Sequence, residues 1–385
     1  MRLRQVFAAT LLLAVAQVHA HTACDLKAAQ APDDANCARA WIDENLHVND
    51  LLSVGTHNSY KSAIPDAELT QLRARSTRAA TLLDYSHRPL TDELDDGARQ
   101  LELDVYYDPQ GGRFADPLGP RMLGQRLDDA TAEDFKQPGF KVMHIPDFDF
   151  RSTCTRFVAC LQTVKAWSDA HPDHIPILIL INAKDDSPLG GSGAAIAKFD
   201  VAAFDALDAE IASVFADDDL ITPDQVQGKH ATLREAVLKN GWPKLGEARG
   251  RVFFALDEAP KKVALYRGAW RSLEGRRMFV NIDEDSPAAA YITLNEPMQD
   301  MKRIRAAVEA GFIVRTRADA DTLEARDGKT ERREAALSSG AQYVSTDYMQ
   351  PDPRFPGYSA RLPNGATTVC NPVRAQKQCG GRAVR

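Results

Sequence analysis

Eight short apolar runs recur along the chain, and most of them stop at a polar residue. They run from Asp50 to His57, Arg99 to Tyr107, Phe140 to Ile145, Ile175 to Asn182, Arg251 to Asp257, Arg277 to Asp283, Gly311 to Asp319 and Ala341 to Asp347. Their Val, Ile, Leu and Phe content suits strands buried on both faces. Between several of them the period lengthens to that of a helix. Val201, Phe204, Leu207, Ile211, Val214 and Phe215 share one helical face. "MQDMKRIRAAVEAG" and "TERREAALSSG" read as helices ending at Gly311 and Gly340, with glycine just past the last turn. Strands alternating with helices imply parallel pairing. A count of eight favours a closed (β/α)8 TIM-type barrel over an open doubly wound sheet.

The ends and the spacers refine this picture. Residues 1–20 combine a short basic start, the apolar "VFAATLLLAVAQV" and the small-residue ending "VHA", the pattern of a removable signal peptide. Residues 21–385 are then expected to be one domain, secreted or periplasmic. Its longest spacer, Ala183 to Gly250, holds the Gly/Ser-rich "SPLGGSG" and at least one helix. Its tail from about Tyr358 to Arg385 reads as a stapled extension. The six cysteines fall into close pairs, so proximity suggests Cys24–Cys37, Cys154–Cys160 and Cys370–Cys379. No C-x-x-C spacing supports a zinc site, and disulfides agree with export. With 44% hydrophobic and 26% charged residues the composition is ordinary globular. The net charge of −7 moves to about −9 once Arg2 and Arg4 are removed. An acidic chain without a dense basic run excludes nucleic acid as an expected partner. Nothing beyond the leader is long and apolar enough for a transmembrane segment. A monomer is expected.

The chemistry sits where the runs stop, because barrel enzymes act at the C-terminal ends of their strands. His57-Asn58 closes the first run and His144 the third. Glu102 and Asp104 lie two apart in the second, on one face. Asn182 ends the fourth, with Lys184 beyond it. Asp257 and Asp283 end the fifth and sixth. Arg315, Arg317 and Asp319 share a face of the seventh, and Asp347-Tyr348 closes the eighth. A lone histidine at a strand end is more often a structural residue. The Glu-x-Asp pair is harder to dismiss, because two carboxylates in a dry barrel cost several kcal/mol unless a cation offsets them. Oxygen donors from Asn58, Glu102 and Asp104 suit Ca2+ or Mg2+ rather than zinc. Two histidines beside such an ion suit proton transfer in phosphodiester cleavage. His171 and His174 precede the fourth run, at the barrel's other end, and are expected to be surface loop residues.

"VGTHNSYK", "LELDVYYD" and "KVMHIPDFDF" resemble the catalytic motifs of calcium-dependent phosphoinositide-specific phospholipase C in its secreted bacterial form. "FIVRTRADADTLEARDG", "SGAQYVSTDY" and "LPNGATTVCNP" resemble the second half of that group, so the likeness runs from about Cys37 to Cys379. The resemblance implies a distorted barrel acting on a phospholipid at a membrane surface. In it the inositol 2-hydroxyl attacks phosphorus, diacylglycerol leaves and a cyclic inositol phosphate forms. His57 would stabilise the phosphoryl charge and His144 would protonate the leaving oxygen. Asn58, Glu102, Asp104 and Asn182 would bind one Ca2+, and Glu102 could also take the hydroxyl proton. Lys184, Arg315, Arg317 and Asp319 would contact the substrate. Members closest to the eukaryotic enzymes carry Glu where Asn182 stands, so this site has one charge fewer. A glycerophosphodiester phosphodiesterase or sphingomyelinase-D-like enzyme would fit the same residue types, as would a non-catalytic lipid-binding barrel.

Overall fold

The computed structural model describes residues 24–27, 35–186, 196–239, 241–379 and 381–384. The leader expected at residues 1–20 and the "SPLGGSG" segment lie outside the described residues. The strands, in chain order, are β1 (Leu51–Thr56), β2 (Gln100–Tyr106), β3 (Lys141–Val142), β4 (Ile177–Lys184), β5 (Val252–Leu256) and β6 (Met278–Val280). They continue with β7 (Tyr291–Thr293), β8 (Ile313–Arg317), β9 (Tyr343–Thr346), β10 (Thr368–Cys370) and β11 (Ala383–Val384).

Eight of these strands form a barrel in two parallel arcs, β2-β4-β5-β6 and β7-β8-β9-β1. The barrel does not close as a continuous ladder. At one seam a single bridge, Asn281 with Tyr291, links the arcs. At the other, β1 and β2 are stitched largely by side chains. Gln100 Nε2 donates to the Thr56 carbonyl at 3.1 Å. The Glu102 N–H donates to Ser59 Oγ at 2.8 Å. Main-chain bonds from Arg99 to Val54 and from Ser59 to Glu102 complete the seam, each 3.0 Å. Gly55 permits this approach, since a Cβ there would lie 2.2 Å from the Gln100 carbonyl oxygen.

Two strand expectations need correcting. The run from Phe140 to Ile145 is not a barrel strand. Only its Lys141–Val142 pairs with a barrel strand, antiparallel to Tyr106 and Val105, on the edge of β2 that faces β1. It looked like a buried strand because Phe140, Val142 and Met143 are indeed buried. The missing parallel strand is β7, three residues that follow the buried run Ala288–Ala290.

The tail joins the sheet, because β10 pairs antiparallel with β1 and β11 with β10. All three expected disulfides are present, Cys24–Cys37, Cys154–Cys160 and Cys370–Cys379. Leu101, Leu103 and Val105 of β2 share the main apolar core with Phe157, Leu161 and Val164 of the helix Phe157–Ala170. Glu102 and Asp104, on the alternate positions, therefore face away from that helix into the barrel mouth. No helix among the described residues is long and apolar enough to cross a membrane.

Candidate active site

β1 ends at Thr56, and Thr56 Oγ1 donates to Ser59 Oγ at 2.7 Å, tying a turn. Asn58 takes a left-handed conformation in that turn, φ 50°, which asparagine tolerates better than most residues. His57 and Asn58 are thereby turned over the mouth. His57 Nδ1 lies 2.7 Å from Asp347 Oδ1, just beyond β9. Its Nε2 lies 3.6 Å from Glu102 Oε1. Arg317 approaches both partners, 3.4 Å from His57 Nδ1 and 3.6 Å from Asp347. Burial, reinforced by the Arg317 guanidinium, holds the imidazole well below its ordinary range. Burial raises the Asp347 carboxyl. The resulting dyad fixes the ring and turns Nε2 towards the mouth.

The two carboxylates of β2 meet Asn182, which the parallel register places beside Asp104. The Asn182 amide donates to Glu102 Oε1 at 2.9 Å and to Asp104 Oδ1 at 3.0 Å. Arg315 of β8, 2% exposed, donates to Glu102 Oε2 at 2.5 Å and to Asn295 at 2.6 Å. Lys184 lies 3.3 Å from Asp104 Oδ2. The Asp104 charge, more than burial, governs Lys184 and raises its pKa.

His144 sits in the loop after β3, not at a barrel-strand end. Its Nδ1 is 2.8 Å from Asp149 Oδ2. Ile145 and Asp149 exchange main-chain hydrogen bonds of 3.0 Å, and Tyr106 OH donates to the His144 carbonyl at 3.0 Å. Asp149 is wholly buried, which alone would raise its pKa. The adjacent Lys61 charge and the His144 hydrogen bond bring it below the usual carboxylate value instead. Lys61 Nζ is 3.1 Å from Asp149 and donates to the carbonyls of Leu83 and Tyr85 at 2.9 and 2.7 Å. It also lies over the Tyr85 ring. Tyr85 OH accepts from Asn58 Nδ2 at 2.8 Å, so Tyr85 joins the two histidine halves.

His57, Glu102, Asp104, Asn182, Lys184, Arg315 and Arg317 thus form one connected network, and Asn58 stands beside it, bonded to Tyr85, whose ring stacks on that of His57 at 6.3 Å between centroids. Asp319 does not reach the mouth. It is fully buried behind Asp347, where it accepts from the Asp347 N–H at 2.7 Å, from Tyr358 OH at 3.0 Å and from Thr346 Oγ1. It holds Asp347 in place and is not available to a substrate. His174 also departs from expectation. It is buried, bonded to Ser168 and to the Ile175 carbonyl, while His171 is exposed. The network includes Lys61, Tyr85 and Asp149, which the strand-end pattern did not single out.

The donors available to a cation are all oxygens: Asn58 Oδ1, the two carboxylates and, with its amide turned over, Asn182 Oδ1. Among the described residues no three His, Cys, Asp or Glu groups form a metal cluster, so amide oxygens must complete any site. Asp104 Oδ2 is buried and accepts no hydrogen bond, and the nearest donor to Asn58 Oδ1 is Tyr60 OH at 3.5 Å. These atoms fit a hard divalent cation.

The sequence signature of Ca2+-dependent phosphoinositide phospholipase C matches residues 46–372. The chain belongs to this family. This phospholipase C is a phosphodiesterase, and its family is calcium-dependent. Among solved structures it is similar to the apo calcium-dependent phosphoinositol-specific phospholipase C of a Pseudomonas species. That likeness has 18% identity and a TM-score of 0.51, over 85% of this chain and 96% of that one. The myo-inositol complex of the same Pseudomonas enzyme gives 19% identity and TM-score 0.51, over 86% and 98%. A Ca2+-dependent phosphatidylinositol-specific phospholipase C from Streptomyces antibioticus gives 19% and 0.47, over 78% and 95%. At these identities the Pseudomonas structures speak for the fold, a phospholipase C barrel. No curated protein sequence matches the chain.

Proposed function

We propose that this phospholipase C cleaves phosphatidylinositol-type lipids to diacylglycerol and a cyclic inositol phosphate, which it can then hydrolyse. The observation that carries the reading is the pair of histidine–carboxylate dyads, His57–Asp347 and His144–Asp149, flanking the Glu102–Asp104 pair. In the proposed reaction the inositol 2-hydroxyl oxygen bonds to phosphorus and passes its proton to Glu102. The bond from phosphorus to the glycerol oxygen breaks, and His144 gives that oxygen a proton. His57 hydrogen-bonds the phosphoryl oxygen as negative charge develops there. Arg317 and Lys184 hold the phosphate, and Arg315 orients Glu102. One calcium ion, held by Asn58, Glu102, Asp104 and Asn182, would neutralise phosphate charge and acidify the attacking hydroxyl. The three disulfides support a secreted or periplasmic location.

His57→Ala and His144→Ala test the assignment on phosphatidylinositol vesicles. Each is expected to lower kcat by about 10²-fold or more, the usual loss when a positioned acid–base group is removed. Full activity in either variant would overturn the role given to that histidine.

A further inference from the structure

We infer that Lys184 competes with calcium for Asp104 and is drawn off by the substrate phosphate, so that free enzyme holds the ion weakly and the phosphate strengthens it. This inference rests on the reading above and concerns the regulation of the same site.

The two carboxylates at the mouth already have two cationic partners. Arg315 is the fixed one, being buried and held by both Glu102 and Asn295. Lys184 is the more exposed one. Its side chain is one-third exposed, and its one carboxylate within ion-pair distance among the described residues is Asp104, at 3.3 Å. It stands at the last position of β4, two residues after Asn182 and on the same face. The oxygen it faces, Asp104 Oδ2, is the buried acceptor that forms no hydrogen bond. Lys184 therefore occupies, as a point charge, the direction from which a cation would approach Asp104. Asn182 adds no charge to tip the balance towards the ion.

A divalent ion arriving alone meets the ammonium at close range, and like charges in a partly desolvated mouth repel strongly. A phosphate changes both sides. It offers the ammonium another anionic partner, which a flexible lysine can reach by rotating its stem. It also offers the ion a further oxygen. Linkage then requires that calcium strengthen phosphate binding by the same factor.

Calorimetric titration of calcium into the mature protein, with and without myo-inositol 1-phosphate, tests this in wild type and Lys184→Met. In wild type the inositol phosphate should tighten calcium binding by about tenfold, within the roughly 5- to 150-fold range of site coupling. In Lys184→Met, calcium alone should bind about as tightly as it does to wild type with phosphate, and the coupling should shrink. Equal calcium affinity of the two free proteins, or undiminished coupling in the variant, overturns the inference, since direct ligation of the ion by phosphate would then suffice. Wild-type turnover of phosphatidylinositol separates the two readings. Turnover without the Lys184 effect sinks only this inference, and absence of both binding and turnover sinks the phospholipase reading as well.

Discussion

Lys61 has no exposed side-chain surface, yet its ammonium is fully engaged. It neutralises Asp149, caps two carbonyls and covers Tyr85, and through Asp149 it bears on His144. Removing one member of a buried pair leaves the other charge uncompensated, at a typical cost of about 3–5 kcal/mol. Lys61→Met should therefore lose about that much stability in urea unfolding. Its activity should fall even where it remains folded, because Asp149 no longer holds His144 as an ionised partner. A variant of wild-type stability and activity would show that Asp149 needs no counter-ion. At this scale the strand-end rule reads the sequence well. His57, Asn58, Asn182, Lys184 and Arg317 stand at or just beyond strand ends, Glu102, Asp104 and Arg315 on the inward positions of their strands, and all gather at the mouth. Asp319 shares their periodicity but belongs to the layer behind. The partners Tyr85 and Asp149 were hidden because loops carry them, and loops have no period to read.

The β1–β2 seam shows what the elements contribute. The side chain of Gln100 and the hydroxyl of Ser59 stand in for ladder bonds, and the two backbones touch at Gly55. Gly55→Ala should open the seam. A Cβ there meets main-chain atoms that cannot swing aside, and overpacking of this kind costs about 1–3 kcal/mol or more. Because Asn58 and Glu102 lie on opposite sides of the seam, activity should fall further than stability. Paired denaturation and turnover measurements check this, and a variant of unchanged turnover would contradict it. The long strands and the helices ending at Gly311 and Gly340 were legible because they carry several periods each. The two-residue β3 and three-residue β7 carry barely one, so burial of Phe140–Met143 imitated a strand while β7 passed unnoticed.

Across the whole molecule the chemistry gathers at one end of the barrel, while the other end is built for stability. There the tail strands β10 and β11 extend the sheet, and His174 is buried beside Trp167. Burial depresses His174 from 6.5 to about 4. The folded state then binds its proton less readily than the unfolded chain. Stability from this group is complete above about pH 6.5 and is lost as pH falls towards 4, by roughly 3 kcal/mol in all. In His174→Gln the difference in unfolding free energy between pH 7 and pH 4.5 should shrink by a comparable amount. An unchanged difference would assign the acid sensitivity to other groups. The barrel was legible from apolar runs alternating with helices, although the count of eight included β3 and missed β7, and the cysteine pairing was legible from proximity. The two seams were not, because closure depends on contacts between distant segments rather than on any local pattern.

In the proposed reaction the two dyads and the carboxylate pair cleave a phosphodiester with the inositol hydroxyl as nucleophile. Phosphorus NMR of phosphatidylinositol vesicles with the mature protein, in millimolar calcium and again with chelator, tests it most directly. A cyclic inositol phosphate resonance should grow in calcium and be suppressed by the chelator. Direct formation of the acyclic inositol phosphate with no cyclic species at any time, or no turnover in calcium, would contradict it.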